Sequence, residues 1–209
     1  WKKDTLQTCP CKTALLRKLD NMKNFEQELK LQLDEREFSL LGCLAYSKPQ
    51  LQTNYYFTMQ NMSSEVMVRL REKGGNYLLC YKSRLSQREG VSVCDERECE
   101  VDGAFADSMI KRGILPDEIN GMLKTHFDQT LHCAGNLQTY RTAFTLGEWK
   151  LELDKNVYLG RCDYELECES DDVEALEKLK LFLFYNYGIS PRYSRPKSQR
   201  FFEALNEKV

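Results

Sequence analysis

Residues 25 to 33, FEQELKLQL, alternate with period two. Phe25, Gln27, Leu29, Leu31 and Leu33 fall on one side of an extended chain, and Glu26, Glu28 and Lys30 fall on the other. A strand buried on one face has this pattern. The pattern recurs along the chain. Val66, Val68 and Leu70 oppose Arg69 and Arg71, and Tyr77, Leu79 and Tyr81 oppose Lys82 and Arg84. Val93, Cys99 and Val101 oppose Glu96, Glu98 and Glu100, with Asp95 and Arg97 as exceptions on the apolar side. Arg141 stands between Thr139 and Ala143, opposite Tyr140 and Phe144. Glu152 and Asp154 oppose Trp149, Leu151 and Leu153, while Asp163, Glu165, Glu167 and Glu169 oppose Cys162, Tyr164, Leu166 and Cys168.

A sheet with one wet face accounts for the alternation by itself. Two features turn the ionic face inward. The charges are sorted by sign, acids on the first, fifth and last strands and bases on the middle ones, whereas a solvated surface mixes signs so that like charges do not repel along a strand. The chain also carries helical segments that need an apolar sheet surface to cover. These are DEREFSLLGCLAYS at 34–47, a region at 103–124 broken near Pro116, and DDVEALEKLKLFLFYNYGI at 171–189. Lys73-Gly74-Gly75-Asn76 reads as a hairpin turn, and Gly135-Asn136 and Gly147 read as turns separating strands at 125–134, 137–146 and 148–154. The sum is a mainly β, α+β chain with roughly eight strands in an antiparallel barrel and its helices packed outside.

A charged lumen cannot be dry, since an unpaired buried ion costs several kcal/mol. Carboxylates two residues apart on a strand lie about 6.6–6.8 Å apart, and two such strands can surround one or two small hard cations. No cysteine or histidine cluster joins the pattern, so Mg2+ or Mn2+ is the expected ion. Arginine forks and lysine ammonium groups match phosphate oxygens. Acids, metal and bases together specify a metal-chelated polyphosphate.

Composition narrows the alternatives. The 209 residues carry a net charge of −2, with no global basic field to suggest nucleic acid or an anionic membrane as partner. Nine cysteines without a CxxC pair are expected to be reduced thiols of a cytoplasmic protein. No apolar run approaches the roughly 18 residues needed to span a bilayer. Met22 precedes the first patterned strand, so residues 1–21 read as an extension and 22–209 as one domain, monomeric or homodimeric. His126 and His132 are expected to be structural, no Ser/His/Asp grouping is evident, and no GxxxxGK[ST] loop occurs.

The ordered set Glu26-x-Glu28-x-Lys30, NYYF, Arg69-x-Arg71, Lys82 closing YLLCYK, Arg141, LELD ending in Asp154, DYELECE and RPKSQRF resembles the CYTH superfamily, the triphosphate tunnel metalloenzymes. The resemblance covers residues 25 to 205. Thr58, where the family often has aspartate, and Cys80, where threonine is common, depart from the pattern. The resemblance implies an eight-stranded antiparallel tunnel with triphosphate along its axis. It implies that Glu26, Glu28, Asp154, Glu165 and Glu167 hold metal, as two ions. It further implies that Lys30, Arg69, Arg71, Lys82, Arg141 and Lys197 hold phosphates, with Glu26, Glu28, Lys30, Arg69 and Arg71 central to catalysis. Glu98, Glu100, Glu152 and Glu169 are expected to be tunnel residues, Glu169 at the rim.

The expected activity is metal-dependent hydrolysis of inorganic triphosphate or a triphosphorylated metabolite. Thiamine triphosphatase or class IV-type adenylate cyclase activity uses the same tunnel, and a non-catalytic polyphosphate or nucleotide sensor is the alternative outside enzymes. Tyr55, Tyr56 and Phe57 could stack on an organic group, though strand packing is the simpler use. The tail PKSQRFFEAL reads as a short helix docked by Phe201, Phe202 and Leu205 across a tunnel mouth.

Overall fold

The computed structural model describes residues 27–88 and 91–207. Eight strands make one sheet: β1 (Gln27–Leu33), β2 (Gln50–Thr58), β3 (Val66–Lys73), β4 (Asn76–Arg88), β5 (Val91–Val101), β6 (His132–Leu146), β7 (Trp149–Tyr158) and β8 (Arg161–Ser170). Their order is β1-β8-β7-β6-β2-β3-β4-β5, and every neighbouring pair is antiparallel. The helices are α1 (Glu35–Gly42), α2 (Gly103–Arg112), α3 (Pro116–Leu123), α4 (Val173–Tyr187) and α5 (Lys197–Asn206). None of the described helices is long and apolar enough to cross a membrane.

The helix starts follow local chemistry. Asp34 and Glu37 form a capping box at α1, Asp102 accepts from the Phe105 amide at α2, and Pro116 opens α3. Asp172 accepts from the Glu174 amide at α4, and Gly188 at φ +70° ends that helix in the left-handed conformation. α1 stops at Gly42, short of the expected segment.

The apolar faces of the strands feed two cores. Leu29, Leu31, Leu33, Leu151, Leu153 and Leu166 pack under α1 and α4 through Leu41, Leu176, Leu179 and Leu183. Phe57, Val68, Leu70, Leu79 and Val101 pack under α2 and α3 through Ala106, Met109, Ile119 and Leu123. Four helices therefore cover the apolar side of the sheet, which leaves the ionic side inward as expected. The exceptions on β5 are accommodated there: Arg97 binds Asp95 and donates to the Leu123 carbonyl at the end of α3.

Two local expectations need correction. First, the fifth helix is not outside. Phe201 of α5 is fully buried against Tyr56, Leu137 and Tyr158 on the ionic side, with the Tyr56 and Phe201 ring centroids 4.8 Å apart. α5 docks onto the inner face rather than only across a mouth. Second, Gly135-Asn136 is not a turn, because β6 runs through it. Tyr56 faces Gly135 but Phe57 faces Cys133, so one extra residue makes a bulge. Gly135 has φ +138°, and a Cβ there would lie 3.1 Å from the Phe201 ring. The glycine admits α5 to the sheet. Upstream, residues 125–131 form no strand, with only an isolated bridge joining Leu131 to Ile114.

The sheet is the expected eight-stranded antiparallel one, and its closure is not made by strand pairing: among the described residues no ladder joins β5 to β1. The free edge of β1 is covered by the tail instead. The Gln32 amide donates to the Arg192 carbonyl at 2.6 Å, and the Ser194 amide donates to the Lys30 carbonyl at 3.1 Å. An edge strand with unpaired amides is thereby satisfied within the chain.

Gly135→Ala is expected to destabilise the fold by about 1–3 kcal/mol, from a positive φ and a displaced Phe201 ring. Gly121→Ala, in open space on α3, is expected to stabilise by about 0.5–1 kcal/mol. Urea unfolding measures both; a neutral Gly135→Ala would contradict the close-approach role.

Candidate functional site

Strand register assembles the inner face. Lys30 pairs with Glu167 across β1 and β8, Glu167 with Glu152 and Glu165 with Asp154 across β8 and β7, and Asp154 with Arg141 across β7 and β6. Directly opposed residues share a face, so every one of these side chains points the same way.

Their contacts form one network. Lys30 Nζ donates to Glu28 at 2.5 Å and to Glu167 at 2.8 Å. The Arg141 guanidinium binds Asp154 in a fork at 2.8 and 2.6 Å, reaches Glu167 at 2.6 Å and pairs with Glu152. Lys197 Nζ, brought in by the first residue of α5, lies 3.0 Å from Asp154, 3.3 Å from Glu165 and 2.5 Å from Glu167. Asp154 and Glu165 are fully buried.

Burial and charge pull the two glutamates apart. Burial pushes Glu165 up despite Lys197 and Arg200. Burial also works against ionised Glu167, but Lys197, Lys30 and Arg141 outweigh it and hold the carboxyl well below the usual range. Lys197 shows the reverse balance: burial favours the neutral amine, and Asp154, Glu165 and Glu167 overcome it and raise its pKa.

The bases of β3 and β4 behave differently. Arg71 donates to Asn54 at 3.1 Å, and its pKa is lowered by burial and then by the neighbouring Arg69. Arg69 Nε is buried without a hydrogen-bond partner, beside the buried thiol of Cys80, whose pKa burial raises. Two guanidinium groups thus face the interior together with, among the described residues, no carboxylate bound to either, an arrangement that an anion would satisfy. Lys82 pairs with Glu96 at 2.5 Å in a more exposed position.

The structure thus gathers Glu28, Lys30, Arg141, Glu152, Asp154, Glu165, Glu167 and Lys197 into direct contact. Arg69, Arg71 and Lys82 share their face without touching that network, and Lys82 pairs only with Glu96 among the described acids. Glu98 and Glu100 stand exposed on β5, opposite Cys80 and Leu78, and Glu169 is exposed opposite Glu28. Glu26 lies outside the described residues, as does the 1–21 extension.

Sequence reasoning missed Arg200 and the group it serves. Arg200 binds Glu165 at 2.5 Å and Asp163 at 3.2 Å, and Asp163 accepts from Tyr158 at 2.7 Å and Asn156 at 3.0 Å. Its spacing of three from Lys197 places both cations on one helical face with Phe201 and Ala204, a signal that the basic run concealed.

Asp154, Glu165 and Glu167 are hard oxygen donors suited to Mg2+ or Mn2+. Glu165 Oε1 is buried and has no hydrogen-bond partner among the described residues, which is the mark of a donor set built for one more ligand. The set is not gathered into a ready cage: among the described residues no three acidic, cysteine or histidine side chains are grouped to hold an ion, because cations stand between the acids. The residues fit the ion once those cations yield.

A family model described as the CYTH domain matches residues 24–191. The Bacillus subtilis protein YjbK, provisionally named a triphosphatase, is 25% identical over 198 residues, which is 90% of this chain and 99% of that protein. Among solved structures, the Hippeastrum protein HpAC1, provisionally named an adenylyl cyclase and described as having a dominant triphosphatase activity, is 25% identical, with TM-score 0.68 over 86% of this chain and 96% of its own. A Bacillus halodurans protein provisionally named an adenylate cyclase has the same fold at 24% identity, with TM-score 0.66 over 85% of this chain and 97% of its own.

Lys197→Met leaves three buried carboxylates without their shared ammonium and is expected to cost about 3–5 kcal/mol near neutral pH. Without Lys197 the Glu165 carboxyl, which burial already pushes up, loses a charge that lowers it, so its protonation relieves the strain as pH falls and the loss grows as pH rises. Unfolding of both proteins between about pH 5 and pH 8 measures this; a deficit independent of pH would contradict it.

Proposed function

The chain belongs to the CYTH family, and we propose that it is a metal-dependent triphosphatase acting on inorganic triphosphate. The observation that carries the reading is the division of one interior face into an acid network and a pair of arginines that bind no carboxylate among the described residues. A polyanion chelated to a hard cation satisfies both halves at once.

In this reading Arg69 and Arg71 take the phosphate chain, with Lys82 at the more exposed end. Lys30, Arg141 and Lys197 lie between acids and phosphates and steady the charge that develops on the phosphoryl oxygens. Asp154, Glu165 and Glu167, joined by Glu28 and Glu26, would hold Mg2+ or Mn2+. The ion would polarise phosphoryl oxygen and provide an acidified water as nucleophile. Arg200 and Asp163 keep Glu165 in place from behind. No side-chain nucleophile is required.

The aromatic triad favours an inorganic substrate over a thiamine or nucleotide triphosphate. Tyr56 is buried against Phe201 and Phe57 is buried in the outer core, while Tyr55 packs against that same core. None is free to stack on a ring. The triphosphatase names of two relatives support triphosphate hydrolysis without specifying the substrate, and the buried carboxylates favour an enzyme over a sensor, because an anion binder gains nothing from them.

Phosphate release from tripolyphosphate is expected to require Mg2+ or Mn2+ and to exceed release from thiamine triphosphate or ATP in a parallel panel. Glu28→Gln and Arg71→Ala are expected to lower kcat by roughly a hundredfold or more with the fold retained. Tight tripolyphosphate binding with no metal-dependent release would sink the enzyme reading in favour of a sensor, and preferential turnover of either organic triphosphate would reassign the substrate.

A further inference from the structure

Lys197 occupies the point where three of the expected metal-ligand carboxylates converge. One atom, its Nζ, lies within 3.3 Å of oxygens from Asp154, Glu165 and Glu167. Mg2+ takes oxygens at about 2.0–2.1 Å, so an ion drawing on the same three carboxylates and the ammonium exclude one another. The Lys197 side chain is only 14% exposed, so displacing it without a new partner would strand a buried charge.

The surroundings limit where it can go. Lys197, Arg200, Arg69 and Arg71 all lie close enough to Tyr56 to pull against the burial that raises its hydroxyl pKa. Two of these neighbours, Arg69 and Arg71, are themselves cations without carboxylate partners among the described residues, and they repel an ammonium. An anion lying against them would reverse that and accept it. The backbone is fixed on both sides of Lys197, by the pairing of Arg192 and Ser194 with β1 and by the buried Phe201. Only the four-carbon stem has to turn.

We propose that Lys197 is a resident, exchangeable cation: a divalent ion displaces it from the three carboxylates, and the bound triphosphate receives it. The inference rests on the metal-dependent triphosphate reading above. It makes the two ligands bind with positive coupling, each removing a penalty that the other would meet alone, and by linkage the coupling is reciprocal. Metal alone binds weakly because the site is already neutralised by its own lysine. Removing a cation proposed to serve the substrate should therefore strengthen metal binding.

The test is Mn2+ binding to the full chain at neutral pH without any phosphate, followed by the paramagnetic resonance of the free ion. Lys197→Gln is expected to bind Mn2+ roughly tenfold or more tightly than the unsubstituted chain. Arg71→Gln removes the same charge from the same face but touches none of the three carboxylates, and is expected to change the affinity much less. A Lys197→Gln chain that binds Mn2+ no more tightly than Arg71→Gln overturns the exchange. Should Lys197→Gln fail to fold, lysine-selective nitrogen NMR of the unsubstituted chain decides instead. Adding Mg2+ with imidotriphosphate should move the Lys197 Nζ signal, and an unmoved signal with both ligands bound overturns the proposal. Metal-dependent phosphate release from tripolyphosphate without the gain in Mn2+ affinity removes the exchange alone. Absence of that release removes the reading beneath it and the exchange as well.

Discussion

Glu167 meets three cations from three separated parts of the chain: Lys30 of β1, Arg141 of β6 and Lys197 of α5. A carboxylate this deeply buried cannot stay ionised without such partners, and the partners cannot be buried without it. Much of the inner face follows from that mutual need. Asp154 requires the Arg141 fork and Lys197, Glu165 requires Lys197 and Arg200, and Arg200 in turn is held by Asp163. Such a network adds little net stability when compared with apolar packing. It does fix the register of β1, β8, β7 and β6 and the seat of α5, since a slip of one residue would turn every charge into the leucine cores.

The outer face supplies the driving force for the sheet, with the leucines of β1, β7 and β8 under α1 and α4 and a second core under α2 and α3. α5 reaches the other side because Gly135 leaves room for Phe201 and because the tail pairs along β1 before the helix begins. The same docking that buries an aromatic ring therefore delivers Lys197 and Arg200 to the acids. Structure and site share one cause there.

The alternation in FEQELKLQL and DYELECE was enough to read the strands, their ionic face and its sign-sorted charges, because period-two patterning is local and strong. The break at Pro116 and the docking role of Phe201 were legible for the same reason. Gly135 was misread because a glycine between apolar stretches can mark a turn or a close approach, and the difference depends on a ring from a distant helix. Arg200 was hidden in a basic run, since which of its residues face inward depends on where α5 docks. The open β1 edge could not be anticipated, because sheet closure depends on long-range pairing that no local pattern records. Glu26, the first acid of the opening motif, lies outside the described residues.

The central claim is that one interior face holds a hard cation on its acids and a triphosphate on its arginines. Crystals soaked with Mn2+ and imidotriphosphate, measured for anomalous scattering, test it most directly. The account predicts an anomalous peak in contact with Asp154, Glu165 and Glu167, and phosphate density against Arg69 and Arg71. Manganese bound away from those carboxylates, or triphosphate bound only on the helix-covered side of the sheet, would contradict it.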